Sequence, residues 1–523
     1  MRGRAAPLAV SVVLIALALY AEARVQLNGD AHWILTMAER MLGGQRLYRD
    51  IIEINPPLIV WLQLPLVWLA RVLAVSPALL YRVAVFAGAI LSAWATARIL
   101  SRAARPALLR WTPPAVLAAL LLVPAGAFGQ REQIITMLLL PLVALTGLRL
   151  DGAEPSRRAA VASGVAAGVA IALKPFFVLA WVLPAAARAA RLRRRRLEDE
   201  DRAILLVGLA YLAAVLVAAP GFFGVVRTFG RAYAAFTPSH SIGYLLSNAA
   251  TVWVLAAYLA WWVRRERGAG AGTGTGISLA LALGGAFLAA LLQAKGWTYH
   301  YVPAVSLSVL LGLLALAGSG YGKVARTPVQ RASRALAAFL LLLAWVPLVE
   351  RTASRLAPRT GLEAPGVRQL ASTVRREQGA RTILVLDADM TSALPWIGEA
   401  GLTERSSFPF LWVPAVVYRT RWNGNPRVAL RRRAEMGRAE GAAFDAVVSD
   451  LVQHTPDLLV VETRKRNEEL TGYPGGFDHL VYYGRDAGFA ACFLEFRLTA
   501  VLDDYLIFRR GGAPGRKDCG DDG

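Results

Sequence analysis

The feature that most constrains this chain is a repeated series of apolar runs, each near twenty residues, separated by short polar segments. An α-helix needs about 20 apolar residues to cross the hydrocarbon core of a bilayer. Hydrophobic residues make up 56% of the 523-residue chain and its mean hydropathy is +0.44, which excludes an ordinary soluble enzyme. The pattern therefore predicts a polytopic α-helical membrane protein.

We expect about 11 transmembrane helices. Arg2 and Arg4 precede the first apolar run, over residues 1–23, and no convincing small-residue cleavage site follows it. This favours a retained first helix with a cytoplasmic N-terminus over a signal peptide. The other predicted spans are 79–100, 112–128, 134–149, 159–173, 176–190, 203–219, 247–263, 277–294, 302–318 and 335–349.

The basic residues indicate how the chain is oriented. The formal net charge is +22, but the arginines form short clusters between apolar runs, without a basic stripe interleaved with stacking aromatics, which argues against nucleic-acid binding. If the run 58–73 is an interfacial or re-entrant helix, every basic loop becomes cytoplasmic, as the positive-inside rule requires. If the run 58–73 instead crosses the bilayer fully, the basic loops that follow it become extracytoplasmic, which breaks the positive-inside rule. We therefore predict a protein of the cytoplasmic (inner) membrane whose chemistry lies on the extracytoplasmic side, because the predicted cytoplasmic loops hold arginines and little else.

Hydropathy falls after about residue 350, which predicts a membrane module over 1–349 and a small extracytoplasmic α/β domain over 350–523, with a disordered tail from about 511. The predicted elements of this domain are strands at 382–389, 457–463 and 503–510, and helices at 431–454 and 477–490. The first strand resembles one from a nucleotide-binding unit, but no glycine-rich loop follows it, so a capping domain is the simpler interpretation. Cys492 and Cys519 can pair in an oxidising compartment, but two cysteines do not imply a disulfide framework.

The first predicted extracytoplasmic loop, residues 24–78, carries acidic residues next to membrane-embedded sequence. Acids in that position are costly unless they face water or a partner, so they indicate a functional site. Asp30, in NGDAHW, can act as a general base toward an acceptor hydroxyl or help to bind a divalent metal. The alternative is a helix N-cap for the amphipathic segment 31–42.

The segment GQREQ, between two apolar spans, offers Glu132 beside Arg131. The structural interpretation is a helix cap and a local ion pair. The functional interpretation gives Glu132 as a second carboxylate facing Asp30, and Arg131 as a phosphate contact. Lys174, in VAIALKPFFVLAW, has no acid near it in sequence. It either snorkels to the head groups or binds a lipid phosphate, and the two are compatible.

The segment QAKGWTYHY, residues 293–301, brings a cation, aromatics and an imidazole together. These side chains can hold a lipid-linked phosphate and stack on a sugar ring. An aromatic belt at the membrane interface explains Trp297 and Tyr301 equally well, but it explains Lys295 and His300 less well. Tyr299 belongs to the same group.

The layout of these parts resembles the lipid-dependent C-type (GT-C) glycosyltransferases, especially the protein O-mannosyltransferase and aminoarabinose-transferase relatives of glycosyltransferase family 39 type. The matching pieces are NGDAHWILTMAERMLGGQRLYRDIIEINPPL, GQREQ, ALKPFF and QAKGWTYHYVP, which fall within residues 1–320. In that family the first extracytoplasmic loop carries an essential Asp, matched by Asp30, and a later juxtamembrane helix opens near a PPL, matched at Pro57. Position 55 departs from the pattern, with Asn where many relatives have His.

The resemblance implies transfer of a hexosyl or pentosyl group from a polyprenyl-phosphate donor to a glycan, lipid or protein acceptor. Displacement with inversion at the anomeric carbon is expected at the outer face of the cytoplasmic membrane, with Asp30 as base and Glu132 as a second carboxylate. Arg131, Lys174 and Lys295 are the candidates for holding the leaving phosphate. Pro57, Trp297, Tyr299 and His300 complete the expected substrate contacts, and Mg²⁺ or Mn²⁺ is a candidate cofactor. A transporter or flippase for lipid-linked saccharides is the alternative, but transporters typically place polar residues at mid-membrane depth. A non-catalytic assembly protein of the same fold is a third class.

Overall fold

A computed structural model describes residues 2–25, 27–102, 110–193, 196–235, 241–265, 273–317, 365–377, 379–388, 397, 401–408, 410–422, 429–463, 477–511 and 518–522. These residues belong to two compact units. Unit 1 comprises Met1–Gln26, Leu79–Ala214 and Thr237–Pro358, and unit 2 comprises Leu27–Ala78, Val215–Phe236 and Arg359–Gly523.

The described residues up to position 317 are mostly helical. Their helices, in chain order, are α1 (Arg2–Glu22), α2 (Gly29–Leu42), α3 (Leu58–Trp61), α4 (Leu64–Val72), α5 (Pro77–Leu100), α6 (Thr112–Leu121), α7 (Arg131–Leu150), α8 (Arg157–Leu173), α9 (Leu179–Leu192), α10 (Asp199–Ala218), α11 (Gly221–Ala235), α12 (Ile242–Leu246), α13 (Ala250–Arg265), α14 (Thr273–Leu292) and α15 (Val302–Ala317).

Seven helices in the described part of the chain are long and apolar enough to cross a membrane. They are Ala5–Glu22, Pro77–Leu100, Arg131–Leu150, Pro175–Leu192, Asp199–Ala218, Gly274–Leu292 and Thr298–Ala315. This confirms a multi-pass helical membrane protein, while the count of about 11 spans stays a prediction. The run predicted to lie at the interface is divided into the short helices α3 and α4, and the predicted span 335–349 lies outside the described residues.

Helix α7 lies at the centre of unit 1, where it packs against α8, α9 and α14. Glycines allow these helices to approach closely, as is common in membrane bundles. A Cβ added to Gly147 of α7 would lie 2.6 Å from the Cα of Thr275, and one added to Gly285 of α14 would lie 2.4 Å from the Leu179 carbonyl oxygen. Close backbone packing therefore holds α14 against the last turns of α7 and against the start of α9.

The C-terminal part of unit 2 is an α/β fold, as predicted from its alternating strands and helices. Its elements are α16 (Pro365–Arg376), β1 (Thr382–Leu386), β2 (Thr403–Glu404), α17 (Trp412–Trp422), α18 (Arg438–Val452), β3 (Leu458–Glu462), α19 (His479–Tyr483), α20 (Ala487–Phe493), β4 (Phe496–Val501) and β5 (Tyr505–Arg510). The sheet order is β2-β1-β3-β5-β4, with β1 parallel to β2 and β3, and with β5 antiparallel to β3 and β4. The sequence predicted three of these five strands and missed β2 and β4.

The first loop and this α/β fold share an apolar core inside unit 2. The buried core residues include Tyr48 from the loop, Phe229 from α11, and Phe408 and Trp412 from the C-terminal part. The Phe229 ring lies 5.6 Å from the Phe408 ring and 6.3 Å from the Trp412 ring. The predicted boundary near residue 350 lies outside the described residues and stays a prediction. The loop 27–78, which we expected within the membrane module, packs as part of unit 2.

Cys492 and Cys519 form a disulfide that spans 27 residues. Cys492 of α20 is buried in the core of the α/β fold, and Cys519 begins a short 3-10 helix, Cys519–Asp522. The Cys519 amide also donates to the Thr455 hydroxyl at 2.9 Å. Residues 518–522, within the tail that we expected to be disordered from about 511, are therefore anchored to unit 2.

Candidate active site

The centre of the candidate site is an ion pair between Lys174 and Glu132, both buried in unit 1. Pro175 disfavours helical geometry at the residue before it, so α8 ends at Leu173 and Lys174 is extended, with φ −148° and ψ 103°. Its ammonium contacts Glu132 Oε1, in the first turn of α7, and donates to Gln293 Oε1 at 3.0 Å. Lys174 thus has no acid near it in sequence but pairs with one 42 residues away in the chain. Its side chain is only 11% exposed, which argues against snorkelling to the head groups.

The segment QAKGWTYHY brings its aromatics and imidazole to the same ion pair. Ala294 and Gly296 have positive φ values of 52° and 65°, and this reversal leads into a 3-10 turn over Thr298–Tyr301. Any side chain at position 296 would collide with Tyr244, since an added Cβ would lie 2.4 Å from its ring. His300 Nε2 is then 3.8 Å from Glu132 Oε1. The Tyr299 ring packs edge-on against the His300 ring at 4.5 Å.

Two further cations, Arg131 and Lys295, are 8% and 6% exposed. Lys295 Nζ lies 5.4 Å from the centroid of the Trp297 ring, and Lys174 Nζ lies 5.6 Å from that of Tyr299. These distances fit cation–π contacts, which help to hold a cation away from bulk water. The charges of Arg131, Lys174 and Lys295 all act on the His300 imidazole, so the three cations share one small region.

Two buried polar atoms in this cluster make no hydrogen bond with any residue in the described ranges. They are Glu132 Oε2 and His300 Nδ1. A buried polar atom without a partner costs about 1–3 kcal/mol. Native proteins carry few of them, and a functional role is one accepted explanation. The cluster is therefore incompletely satisfied as well as positively charged.

The residues present do not favour a metal site. No group of three or more His, Cys, Asp or Glu side chains within the described ranges is arranged to hold a metal ion. Glu132 and His300 are two potential ligands, but the Lys174 ammonium already contacts Glu132. We therefore derive no step through Mg²⁺ or Mn²⁺.

Asp30 belongs to unit 2 and is half-buried in the first turn of α2. The N-cap of this helix is Asn28, whose side-chain oxygen accepts from the Ala31 amide at 3.0 Å. The interpretation of Asp30 as the N-cap is therefore wrong. A first-turn carboxylate still interacts favourably with the helix dipole, but the cap hydrogen bond does not depend on it.

The turn that contains Pro57 is held by Glu53, a buried acid of the first loop to which the sequence analysis gave no role. Glu53 Oε1 accepts from the Asn55 amide and side chain at 2.8 and 2.6 Å, and Oε2 accepts from Trp33 Nε1 at 2.8 Å. Pro57 then occupies the N-cap position of α3. The available signal was an acid within the apolar stretch IIEINPPL. Gln293, the partner of Lys174, was likewise missed, although it begins a segment that the sequence did single out.

The structure thus brings most of the predicted site residues together in unit 1, whereas Asp30 and Pro57 lie in unit 2. The residues that meet in unit 1 are Arg131, Glu132, Lys174, Lys295, Trp297, Tyr299 and His300.

No family sequence model matches the chain, and no curated protein sequence matches it. Several solved structures do. ArnT from Cupriavidus metallidurans, in a crystal structure bound to undecaprenyl phosphate, aligns with a TM-score of 0.54 and 14% identity, over 97% of this chain and 98% of ArnT. Arabinofuranosyltransferase AftD from Mycobacteria gives 0.46 and 19%, over 98% of this chain and 40% of AftD. The Archaeoglobus fulgidus oligosaccharyltransferase gives 0.48 and 10%, over 97% and 74%.

The ArnT alignment spans nearly the whole of both chains and shows a shared fold. It agrees with the apolar helices of the described residues, and it confirms the predicted resemblance at the level of architecture. The chain is a multi-pass membrane protein with the fold of the C-type glycosyltransferases.

Proposed function

We propose that this chain is a membrane glycosyltransferase that moves a sugar from a polyprenyl-phosphate donor to a glycan, lipid or protein acceptor. The observation that carries the proposal is the cluster of Arg131, Lys174 and Lys295 in unit 1, three buried cations beside the Glu132 carboxylate. These four side chains sum to a charge of +2, which suits a phosphate. ArnT, which shares the fold, was crystallised with undecaprenyl phosphate.

The proposed reaction is a single displacement. The acceptor hydroxyl oxygen forms a bond to the anomeric carbon while the bond from that carbon to the donor phosphate oxygen breaks. The bonding electron pair leaves with the phosphate, the hydroxyl proton passes to the Asp30 carboxylate, and the anomeric configuration inverts. Fixed positive groups stabilise the charge that develops on the leaving phosphate, and they act most strongly where water is excluded.

The contacts within the cluster suggest a role for each side chain. Glu132 was predicted as a second catalytic carboxylate. Its contact with Lys174 supports a role in orienting that ammonium toward the phosphate. Trp297 and Tyr299, with ring centroids 5.6 Å apart, offer surfaces for stacking on a sugar. We assign to the His300 imidazole, whose Nε2 lies 3.8 Å from Glu132 Oε1, contacts with both the sugar and the phosphate.

We place the reaction at the outer face of the cytoplasmic membrane, with the N-terminus cytoplasmic and the α/β domain extracytoplasmic. This follows from the positive-inside distribution of the basic loops.

The proposal is tested by lipid-extract mass spectrometry on cells that lack the gene. Loss of the enzyme should cause a polyprenyl-phosphate sugar to accumulate, and the parent gene should remove it. Asp30→Asn should fail to remove it, because loss of a general base typically costs about 100-fold or more in rate. Protein levels should stay near those of the parent, since Asn28 makes the cap hydrogen bond.

Glu39→Gln is the matched control on the same helix. Burial raises the pKa of Glu39, while the charge of Arg71 opposes the shift, so the neutral amide is a mild replacement. This variant should complement the deletion. No accumulated lipid-linked sugar in the deletion strain would refute the proposed function, and full complementation by Asp30→Asn would refute the role of Asp30.

A further inference from the structure

Helix α2 carries Asp30 in its first turn and a buried arginine, Arg40, in its last. The Arg40 guanidinium reaches the C-terminal part of unit 2, where Nη1 donates to the Ser406 carbonyl at 2.5 Å. Nε donates to Gln45 Oε1 at 2.5 Å and Nη2 to the Asp50 carbonyl at 3.4 Å. The contact with Ser406 joins residues 366 positions apart in the chain.

The charges of two buried acids act on this guanidinium. Glu404 lies on β2 and Asp450 on α18, and they are 4% and 3% exposed. Burial raises the pKa of each to about 7, although the charge of Arg40 opposes both shifts. The charges of Arg405 and Asp50 also act on Arg40. The hydrogen bonds of Arg40 thus go to Ser406, Gln45 and Asp50, while two acids from two elements of the α/β fold act on it through their charges.

The surrounding contacts make this junction specific. Asp450 accepts from the Ser407 amide at 2.7 Å and from its hydroxyl at 2.5 Å. The Ser407 carbonyl accepts from the Ile52 amide of the first loop at 2.8 Å. Glu404 Oε1 accepts from the Ser406 amide at 3.0 Å, which places that residue's carbonyl for Arg40.

A helix is stiff over this length. Ten residues separate Asp30 from Arg40, so about 15 Å of α-helix connects the two side chains. An error at one end of such a rod is transmitted to the other, and small errors in the placement of a catalytic group reduce rate steeply.

We propose that Arg40 is a positioning residue: by fixing the end of α2 to the α/β fold, it sets the location of Asp30, so that this fold is part of the catalytic apparatus and not a separate cap. The inference rests on the proposed function for its effect on turnover. The anchoring itself is measurable without any substrate.

The test is hydrogen exchange on the full-length protein in detergent, comparing the parent with Arg40→Met. Arg40→Met removes the donor of these hydrogen bonds and leaves the buried Ser406 carbonyl without that partner, which is destabilising, so amide exchange in residues 29–42 should become at least about tenfold faster. Exchange in β1, β3 and α7 should stay unchanged. Arg49→Met is the control, because Arg49 is a 71% exposed cation of the same loop, and it should leave α2 unaffected.

Arg40→Lys keeps the charge but loses the planar fork, so its exchange in α2 should be intermediate. If Arg40→Met does not insert, the same comparison applies to Arg40→Lys. With a donor assay, Arg40→Met should lower kcat while the donor Kd stays near the parental value. Arg40→Lys should restore part of that loss.

Unchanged exchange in α2 in both variants would overturn the inference, and so would faster exchange throughout the sheet, which would make Arg40 a general stability residue. Normal turnover despite a loosened α2 would overturn it as well. If the parent transfers no sugar, the proposed function fails, while the exchange data still decide whether Arg40 anchors the helix.

Discussion

The two ends of helix α7 each carry a buried ionic cluster, and the two clusters are built differently. At the start of the helix, Glu132 meets Lys174 and His300, with Arg131 and Lys295 close by. At its last turn, Arg149 meets acids from the start of α10. We call these the leading cluster and the trailing cluster.

The trailing cluster is saturated. Arg149 donates from Nε and Nη2 to the two Glu200 oxygens at 2.9 and 3.1 Å. Arg188 donates to Glu200 Oε1 at 2.8 Å and also contacts Asp201. Trp181 Nε1 donates to Asp201 Oδ1 at 2.9 Å. The two arginines balance the two buried acids in charge, and Glu154 and Glu198 lie at the periphery of the cluster.

The leading cluster is neither balanced in charge nor fully hydrogen-bonded. Among the described residues it has more cations than acids, and two of its buried polar atoms make no hydrogen bond with any of them. Buried charges that exist only to hold helices together should resemble the trailing cluster, because partly satisfied networks are costly. The difference indicates that the trailing cluster stabilises the bundle and that the leading cluster is shaped for an anionic ligand. It also corrects our expectation that the predicted cytoplasmic loops contain arginines and little else.

The largest expected contrast is in accessibility. Ser101 lies near the trailing cluster, because Ile99, two residues before it, packs with Leu148 of α7. Ser247 lies near the leading cluster, because its hydroxyl donates to the Tyr244 carbonyl and the Tyr244 ring lies beside Gly296. An impermeant thiol reagent added to intact cells should label a cysteine introduced at Ser247 and not one at Ser101. The native cysteines are bonded to each other and serve as the background control. Reversed labelling would place the leading cluster in the cytoplasm.

The next contrast is in stability. Glu200→Gln removes the carboxylate that both arginines share, so the free energy of unfolding should fall by about 3–5 kcal/mol, the usual cost of breaking a buried pair. The measurement is thermal unfolding in detergent. Asp199→Asn is the matched control, because Asp199 is a partly exposed acid of the same helix turn that pairs only with exposed arginines in the described residues. Equal melting temperatures for both variants would end the structural interpretation of the trailing cluster.

The smallest contrast concerns geometry within the leading cluster. Lys295→Arg keeps the positive charge but replaces a compact ammonium by a planar guanidinium. Affinity for undecaprenyl phosphate should fall only about twofold to fivefold, because the charge dominates at such a site. Isothermal titration calorimetry in detergent would resolve this change in affinity. A loss as large as that of an alanine variant would mean that shape, and not charge, decides binding there.

The sequence predicted the helices and the site segments but not the pairings. Apolar runs report which segments cross a bilayer, and the residue types around Glu132 and His300 pointed to phosphate chemistry. Lys174 has no acid near it in sequence, and its partner Glu132, 42 residues away in the chain, was not predicted. Arg149 and Glu200 are 51 residues apart for the same reason. Such contacts follow from helix packing, which periodicity does not encode.

The α/β fold shows a similar division. The buried strands β1 and β3 were visible as continuous apolar runs. Strand β4 was missed because most of its residues are exposed and do not alternate, and β2 contains only two residues. The N-cap of α2 was assigned two residues late, to Asp30, because Asn28 and Asp30 are both good caps. The junction of Arg40 with Ser406 joins distant segments and was not foreseen.

The central claim, that the leading cluster binds a lipid phosphate, is tested most directly by measuring the Kd of undecaprenyl phosphate for the purified protein. Lys295→Ala should weaken it by about tenfold or more, since hydrogen bonds to charged groups contribute about 1.5–3 kcal/mol. Arg202→Ala, at a 60% exposed cation of α10, should leave it unchanged. Undecaprenol, which lacks the phosphate, should bind all three proteins alike. Equal phosphate affinity in the parent and Lys295→Ala, or an equal loss for both lipids, would contradict the account.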